Sequence, residues 1–387
     1  MKITKQILCP FCFNHFDLRK VQFRCTNAAC KGKTSDEVYA DYQGIGAAPM
    51  MGRVFPPPSA HFGGVATSAK CPDCQRETTK RVCPVCHYEL HQDVGTTDER
   101  IIAVMGGRGT GKSSYIATLV HRLRNEVGSN FNAGVIARGD MTRQRYEEDF
   151  YHPLFRQLRK LEPTQTGATD RRTKTPMVYR ISFNKVRNQV VTLVLFDTAG
   201  EDMRSLDSMS TEARYITNSQ GIVFLLDPLQ IPAVREQLPQ ADLPPFDPEA
   251  EPIKIIERLY ELYEKDPRWK GKQKIETPIA FTLAKIDALF PIIDSSSALH
   301  RSGDHLGYLN KADVETVHSE IAAYLHEWMG DEFDLLTRTH FRDYCYFGVA
   351  PLGKTPNVGG KLDTISPIRV EDPILWLFSK FKVIKEK

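Results

Sequence analysis

Residues 106–114 read GGRGTGKSS, and eight of the nine cysteines stand in four pairs before residue 90. The first group has the composition of a phosphate cradle. Glycines let successive backbone N–H groups turn inward toward phosphate oxygens, an approach that bulkier residues would block. Gly106-x4-Gly111-Lys112-Ser113 fits the phosphate-loop pattern. Gly106, Gly107, Arg108, Gly109, Thr110, Gly111, Lys112, Ser113 and Ser114 are therefore the candidate phosphate site. Lys112 would neutralise the terminal phosphates of a nucleotide, and the Ser113 hydroxyl would ligate Mg2+.

The second group has the spacing of metal ligands. Cys9-x2-Cys12, Cys25-x4-Cys30, Cys71-x2-Cys74 and Cys83-x2-Cys86 are four ligand pairs, enough for two tetrahedral zinc sites of four thiolates each. The CPxC turns resemble zinc ribbons, and two structural Zn2+ ions are expected. Order along the chain pairs 9/12 with 25/30 and 71/74 with 83/86; an interleaved pairing is the alternative. His15, His87 and His91 are secondary candidates, better suited to the surface. A closed thiolate site leaves no coordination position for substrate, so no catalysis is assigned to the metal.

These groups need elements to position them. RIIAVMG (100–106) reads as a short buried strand ending in the glycine-rich turn, and 112–127 reads as the helix that follows. A second helical stretch covers 139–161, with Asp140 as N-cap and Pro153 bending it. Residues 177–183 and 189–197 read as a strand pair; 221–227, 278–287 and 344–350 are three further apolar strands. The last helix is placed at 372–386, with Pro373 in its first turn. Strands separated by helices predict an α/β fold with a doubly wound, mostly parallel sheet. Residues 1–95 form a small cysteine-bearing head containing a Gly/Pro-rich linker over about 42–64, and 99–387 form the main domain. Within the latter, 228–272 reads as an inserted proline-rich loop followed by a polar helix at 251–265.

Two strand ends carry further chemistry. LVLFDTAGED (193–202) ends at Asp197, placed to hold Mg2+ through water, and Gly200 would let its backbone approach a γ-phosphate. Alone, such a D-x-x-G is a common strand-ending turn; here it follows the phosphate loop in the expected order. FTLAKID (281–287) ends with Lys285 and Asp287. Guanine presents two donors, N1–H and the N2 amine, that match one carboxylate. Adenine leaves that carboxylate unpaired, at a cost of several kcal/mol if it is buried. The Lys285 stem would lie across the base.

GGRGTGKSS, DTAG and AKID, in that order and each at a strand end, resemble the signature of TRAFAC-class, Ras-like GTPases over about residues 99–383. The resemblance implies GTP as substrate, Mg2+ as cofactor, and loops that report nucleotide state. Ala350, at the end of the last strand, would then offer its N–H to the base oxygen. The cysteine head, the long segment before the first switch and the DPILWLF ending resemble bacterial double-GTPase proteins, which are encoded in pairs within conflict or defence systems.

Three departures from the Ras-like pattern stand out. Ala284 occupies the usual Asn or Thr position, removing one side-chain bond near the base. Glu201 follows Gly200 where Ras-like enzymes place a water-orienting Gln, which predicts slow intrinsic hydrolysis. The switch-one threonine is Thr175 by counting back from the strand, with Thr164 and Thr166 as alternatives. The catalytic candidates are accordingly Lys112, Thr175, Gly200 and Glu201. Arg171 and Arg172 fall in the same loop and are better read as solvated charges.

Charge bounds the partners. Residues 100–187 hold 17 basic and 7 acidic side chains, whereas residues 1–95 hold 12 and 8. The head thus carries no strong nucleic-acid footprint, and a protein effector or second GTPase is the favoured partner over DNA or RNA. No apolar run is long enough to span a membrane, and the opening MKITKQILCPFC has no apolar core of signal-peptide length. A cytoplasmic protein without membrane attachment is expected.

Overall fold

The centre of the main domain is strand β1, Asp98–Gly106. In this computed structural model residues 6–387 are described, apart from 44, 59–64, 93, 96–97, 108, 163–175, 184–188, 196–209, 241–242, 270 and 355–358. The sheet contains β2 (Ala133–Ala137), β3 (Met177–Phe183), β4 (Gln189–Leu195), β5 (Gly221–Leu226), β6 (Ile279–Leu283) and β7 (Tyr344–Gly348). Their spatial order is β2-β3-β4-β1-β5-β6-β7. Only β3 runs against its neighbours; the other adjacent pairs are parallel. The fold is α/β with a mostly parallel, doubly wound sheet, as the strand and helix spacing predicts.

All six residues of β5 are buried, as a central parallel strand covered on both faces requires. One face packs against helices α1 (Lys112–Arg122) and α8 (Asp372–Lys380). The other packs against α3 (Ser210–Asn218), α4 (Pro232–Gln237), α5 (Pro252–Glu264), part of α6 (Lys311–Met329) and α7 (Glu332–His340). The helix expected to be polar at 251–265 is in fact amphipathic: Ile255, Ile256, Leu259, Leu262 and Tyr263 form a buried stripe at helical spacing. The stretch read as an inserted loop likewise buries Leu229, Ile231, Val234 and Leu238 in the same core.

Other local readings are corrected as well. Gly139, not Asp140, caps the second helical stretch; the Asp140 carboxylate projects into solvent and pairs with Arg143. The helix beginning Asp140–Arg145 (α2) widens into π turns over Tyr146–Arg156, a stretch that contains Pro153. Edge strand β2 escaped the sequence reading because AGVIA is short and its exposed positions, Gly134 and Ile136, break polar–apolar alternation.

The head is built from short antiparallel pairs. Gln22–Arg24 lies between Val54–Phe55 and Arg81–Val82, and Lys33–Ser35 pairs with Met50–Gly52. Part of the stretch read as a linker is therefore paired strand. Because Arg81–Val82 is brought beside Gln22–Phe23, the cysteines do not group in chain order. Cys9, Cys12, Cys83 and Cys86 form one cluster, and Cys25, Cys30, Cys71 and Cys74 the other. The interleaved pairing is the correct one.

Both clusters fit zinc. Sulfurs about 2.3 Å from a tetrahedral ion lie about 3.8 Å from one another. The Sγ separations are 3.7 Å for Cys9–Cys86, 3.8 Å for Cys12–Cys83, 3.7 Å for Cys25–Cys74 and 4.0 Å for Cys30–Cys71. Three CPxC turns share one geometry, in which the residue after the second cysteine is left-handed: Phe13, Gln75 and His87 have φ of 55°, 60° and 55°. The three histidines have other partners: His15 bonds Asn218, His87 bonds Asp36, and His91 accepts from Arg180.

On the far side of the domain, Arg369 is 1% exposed. Its guanidinium donates to Asp313 at 2.7 and 2.9 Å, to Asp372 at 2.7 Å and to the Ala298 carbonyl at 3.0 Å, tying α6 to α8. Burial works against the charged Asp313 carboxylate, but Arg369 outweighs it and holds the pKa below the ordinary value. That contribution to stability is complete above the unfolded carboxylate pKa of about 3.9 and is lost as pH falls below it.

Two outcomes follow. Arg369→Met strands buried carboxylates and is expected to destabilise the protein by about 3–5 kcal/mol in denaturant unfolding; a loss under about 1 kcal/mol would refute the network's role. Native mass spectrometry should find two zinc ions per chain. Replacing Cys9, Cys12, Cys83 and Cys86 together by Ser should remove only one, whereas replacing Cys9, Cys12, Cys25 and Cys30 should remove both. The opposite pattern would restore pairing in chain order.

Candidate functional site

The phosphate loop leaves β1 at its C-terminal end and runs straight into α1. Gly109 and Gly111 have φ of 76° and 84°, left-handed values that glycine adopts without strain. Gly106 is required for a different reason: a Cβ there would come within 2.8 Å of Thr110 Oγ1 and 2.9 Å of Leu225 Cβ. Thr110 is 1% exposed and closes the loop by donating its hydroxyl to the Gly107 carbonyl at 2.9 Å. Lys112, Ser113 and Ser114 occupy the first turn of α1, where the helix dipole favours an anion. Arg108 lies outside the described residues.

Two strands away, the backbone after β6 carries the AKID residues to the same end of the sheet. The Ala284 N–H donates to the Leu226 carbonyl at 2.9 Å, and the Ile286 N–H to the Val349 carbonyl at 3.2 Å. Between them Lys285 adopts a left-handed conformation, φ 56° and ψ 35°. Its Cε lies 3.9 Å from where a Gly111 Cβ would stand, so the aliphatic stem runs beside the end of the phosphate loop. The fold thus brings together two motifs more than 170 residues apart in sequence.

One residue of this arrangement was missed by sequence reading. Asp227, at the end of β5, is 1% exposed; its Oδ2 accepts from Lys285 Nζ at 2.7 Å and its Oδ1 from the Leu229 N–H at 3.1 Å. The signal was present in GIVFLLD, an apolar strand ending in a carboxylate, but nothing in sequence linked it to Lys285. Asp287 is partly buried beside them. Burial raises its carboxyl pKa, with its own N–H and the Lys285 charge acting in the opposite direction.

Ala350 does not fill its expected role. Its N–H donates to the Ile368 carbonyl at 3.0 Å, and its carbonyl accepts from the Ile368 N–H at 3.0 Å. The amide assigned to a base oxygen is committed to an antiparallel bridge. Thr175, Asp197, Gly200 and Glu201, along with Thr164, Thr166, Arg171 and Arg172, lie outside the described residues. Among the described residues, potential metal ligands come together in the two thiolate clusters and in His305, Asp313 and Asp372, the last two of which pair with Arg369.

Comparison with known proteins gives the arrangement a family. The chain is 28% identical to the "Putative ESX-1 scaffolding and assembly protein SaeC" of Mycolicibacterium smegmatis over 411 residues, covering 97% of this chain and 99% of that one. Among solved structures, the S. cerevisiae Ski7 GTPase-like domain with GDP and inorganic phosphate aligns at TM-score 0.35 and 13% identity. That alignment covers 74% of this chain and 50% of Ski7's, so the chain spans about half the length of that protein's structure. The Arl6 BBS3 small GTPase of Trypanosoma brucei aligns at TM-score 0.31 and 12% identity, over 74% of this chain and 99% of its own. The sequence profile of Double-GTPase 2 matches residues 100–320, more than half of the chain and both the phosphate loop and the AKID strand. The chain belongs to the Double-GTPase 2 family.

Proposed function

We propose that this protein is a Mg2+-dependent, guanine-nucleotide-binding switch that hydrolyses GTP slowly and acts through protein partners. The observation that carries the reading is the Lys285 stem lying beside the end of the phosphate loop, with the partly buried Asp287 two residues further along the chain. A partly buried carboxylate suits the two donors of guanine, and the left-handed Lys285 offers its stem to the base. Ser113, Thr175 and Asp197 are the proposed Mg2+ ligands, Asp197 through water. Gly200 is the proposed γ-phosphate contact that orders one switch and releases it when the phosphate departs. A carboxylate at Glu201 can accept from the attacking water but repels the phosphate, which supports slow turnover.

The partner is proposed to be a protein effector or a second GTPase, within a bacterial conflict or defence system. A scaffolding role with little hydrolysis is the second reading. It is favoured by the name of the M. smegmatis relative, an ESX-1 scaffolding and assembly protein. Nucleic-acid binding by the zinc head is less favoured, because its charges nearly balance.

The test is titration of zinc-loaded protein with GTP, ATP and their non-hydrolysable analogues in Mg2+. GTP is expected to bind at least about tenfold more tightly than ATP, and Asp287→Ala should abolish the preference. Equal binding of the two nucleotides would reduce the assignment to an unspecified nucleotide-binding protein. Single-turnover hydrolysis without a partner is expected on the order of 10⁻³ s⁻¹ or slower; a rate on the order of 1 s⁻¹ would refute slow turnover.

A further inference from the structure

The two zinc centres differ in what their knuckles touch. Phe13 directly follows the ligand Cys12 and is 1% exposed, yet its side chain belongs to the core of the main domain. Its ring lies 5.2 Å from that of Tyr215, which is on α3 and is itself 3% exposed. Two residues further along the knuckle, His15 Nε2 is 2.9 Å from Asn218 Oδ1 on the same helix. One turn of the head therefore grips α3 at two points.

Tyr215 extends that grip to the strands that feed the nucleotide site. Its hydroxyl accepts from the Val104 N–H at 2.8 Å and donates to the Val194 carbonyl at 2.7 Å. Val104 and Leu195 are the last paired residues of β1 and β4 among the described residues, and the phenol bonds both strands on this stretch. In sequence, the phosphate loop begins two residues after Val104, and Asp197 lies two residues after Leu195. A phenol hydroxyl here ties β1 to β4 just before β1 enters the phosphate loop. Phe13 fixes the phenol, and the left-handed turn closed around Cys9 and Cys12 fixes Phe13.

We infer that the Cys9–Cys12–Cys83–Cys86 centre is energetically coupled to the nucleotide site, with Phe13 and Tyr215 as the positioning residues that transmit the coupling. The inference rests on the reading that the phosphate loop binds guanine nucleotide. The centre at Cys25, Cys30, Cys71 and Cys74 carries neither Phe13 nor His15 on its knuckles and serves as the internal comparison. Coupling between two binding sites is reciprocal. Whatever factor zinc at this centre adds to nucleotide affinity, nucleotide must add to zinc affinity there.

The experiment measures both directions on the full chain. Zinc affinity of each centre is read by competition with a calibrated chelator, with and without saturating GDP or non-hydrolysable GTP analogue and Mg2+. The two ions are assigned by the variants Cys12→Ser and Cys30→Ser. Nucleotide is expected to tighten the ion lost in Cys12→Ser by about tenfold and to leave the other unchanged. Cys12→Ser should weaken nucleotide binding by the same factor, and Cys30→Ser should not. Tyr215→Phe keeps the ring and removes only the hydroxyl. It should abolish the zinc–nucleotide coupling while the protein still holds two zinc ions and unfolds cooperatively. Coupling that survives intact in Tyr215→Phe would overturn the assigned route. A protein that binds nucleotide with both zinc affinities unmoved would overturn this inference alone. Absence of guanine-nucleotide binding would overturn both it and the functional reading beneath it.

Discussion

A parallel strand buried on both faces can open to a ligand only at its ends, and β1 is such a strand. Ile101, Ile102, Ala103, Val104 and Met105 are all buried, alternating between the two cores. Its C-terminal end is where the chain must turn into α1, and the turn is rich in glycine, which lets the backbone approach an anion closely. The rest of the architecture can be understood as cover for this strand. Helices α1 and α8 supply one face; α3 and α5 supply the other. Beyond α3, where β3 would otherwise show Val178 and Arg180 to water and β4 Thr192, the head takes the place of a helix. It sets His91 against Arg180 at 2.7 Å and inserts Phe13 into the core. Zinc bound at the thiolate clusters would therefore stabilise more than the head itself, because the head also covers part of β3 and β4.

Electrostatics around the AKID loop follow from the same geometry. Parallel strands β5 and β6 end side by side, so Asp227 and Lys285 meet where both chains emerge from the core. A carboxylate 1% exposed would be costly alone. Paired with Lys285 and bonded by Leu229 N–H, it instead anchors a left-handed residue that would otherwise be strained. This ion pair ties the end of β5 to the loop after β6, next in sequence to Ala284. Burial raises the pKa of Asp287, in contrast. The two carboxylates thus differ: Asp227 is satisfied internally and orients the lysine, while Asp287 is the one proposed to receive a ligand's donors.

The legible part of this structure was the part encoded by local rules. Apolar runs marked six of the seven strands, and Gly-x4-Gly-Lys-Ser marked the loop between β1 and α1. Eight cysteines announced two zinc centres, but spacing within a pair says nothing about which pairs share an ion. That was decided by the pairing of Gln22–Phe23 with Arg81–Val82, a contact across nearly 60 residues. Strand β2 was hidden because an edge strand buries too little to need a clear alternation. The amphipathic face of α5 was hidden by the charged residues between its apolar positions, which lower the average without moving the stripe. Asp227 and Ala350 show the limit most clearly. Each sits at a strand end and reads as a functional position, and only the neighbouring strand reveals that one holds Lys285 and the other is bonded to Ile368.

A switch must let a small change at a phosphate alter a surface elsewhere, and that requires a rigid path with few soft joints. The path from the phosphate loop back to the head has these properties. Val104, Tyr215 and Phe13 are each buried, and two of the contacts between them are a hydrogen bond under 3 Å and a close ring pair. Packed interiors transmit displacement because they cannot absorb it by compression. The head would therefore feel a shift of α3 directly, at a point next to a metal ligand rather than through a flexible linker. A zinc knuckle is stiff for its size, since two of its four or five residues are bound to one ion. Placing such a turn against the helix that follows Gly200 gives the protein a lever whose far end is the remainder of the head. Under the proposed coupling, the head and the main domain act as one mechanical unit, joined through Phe13.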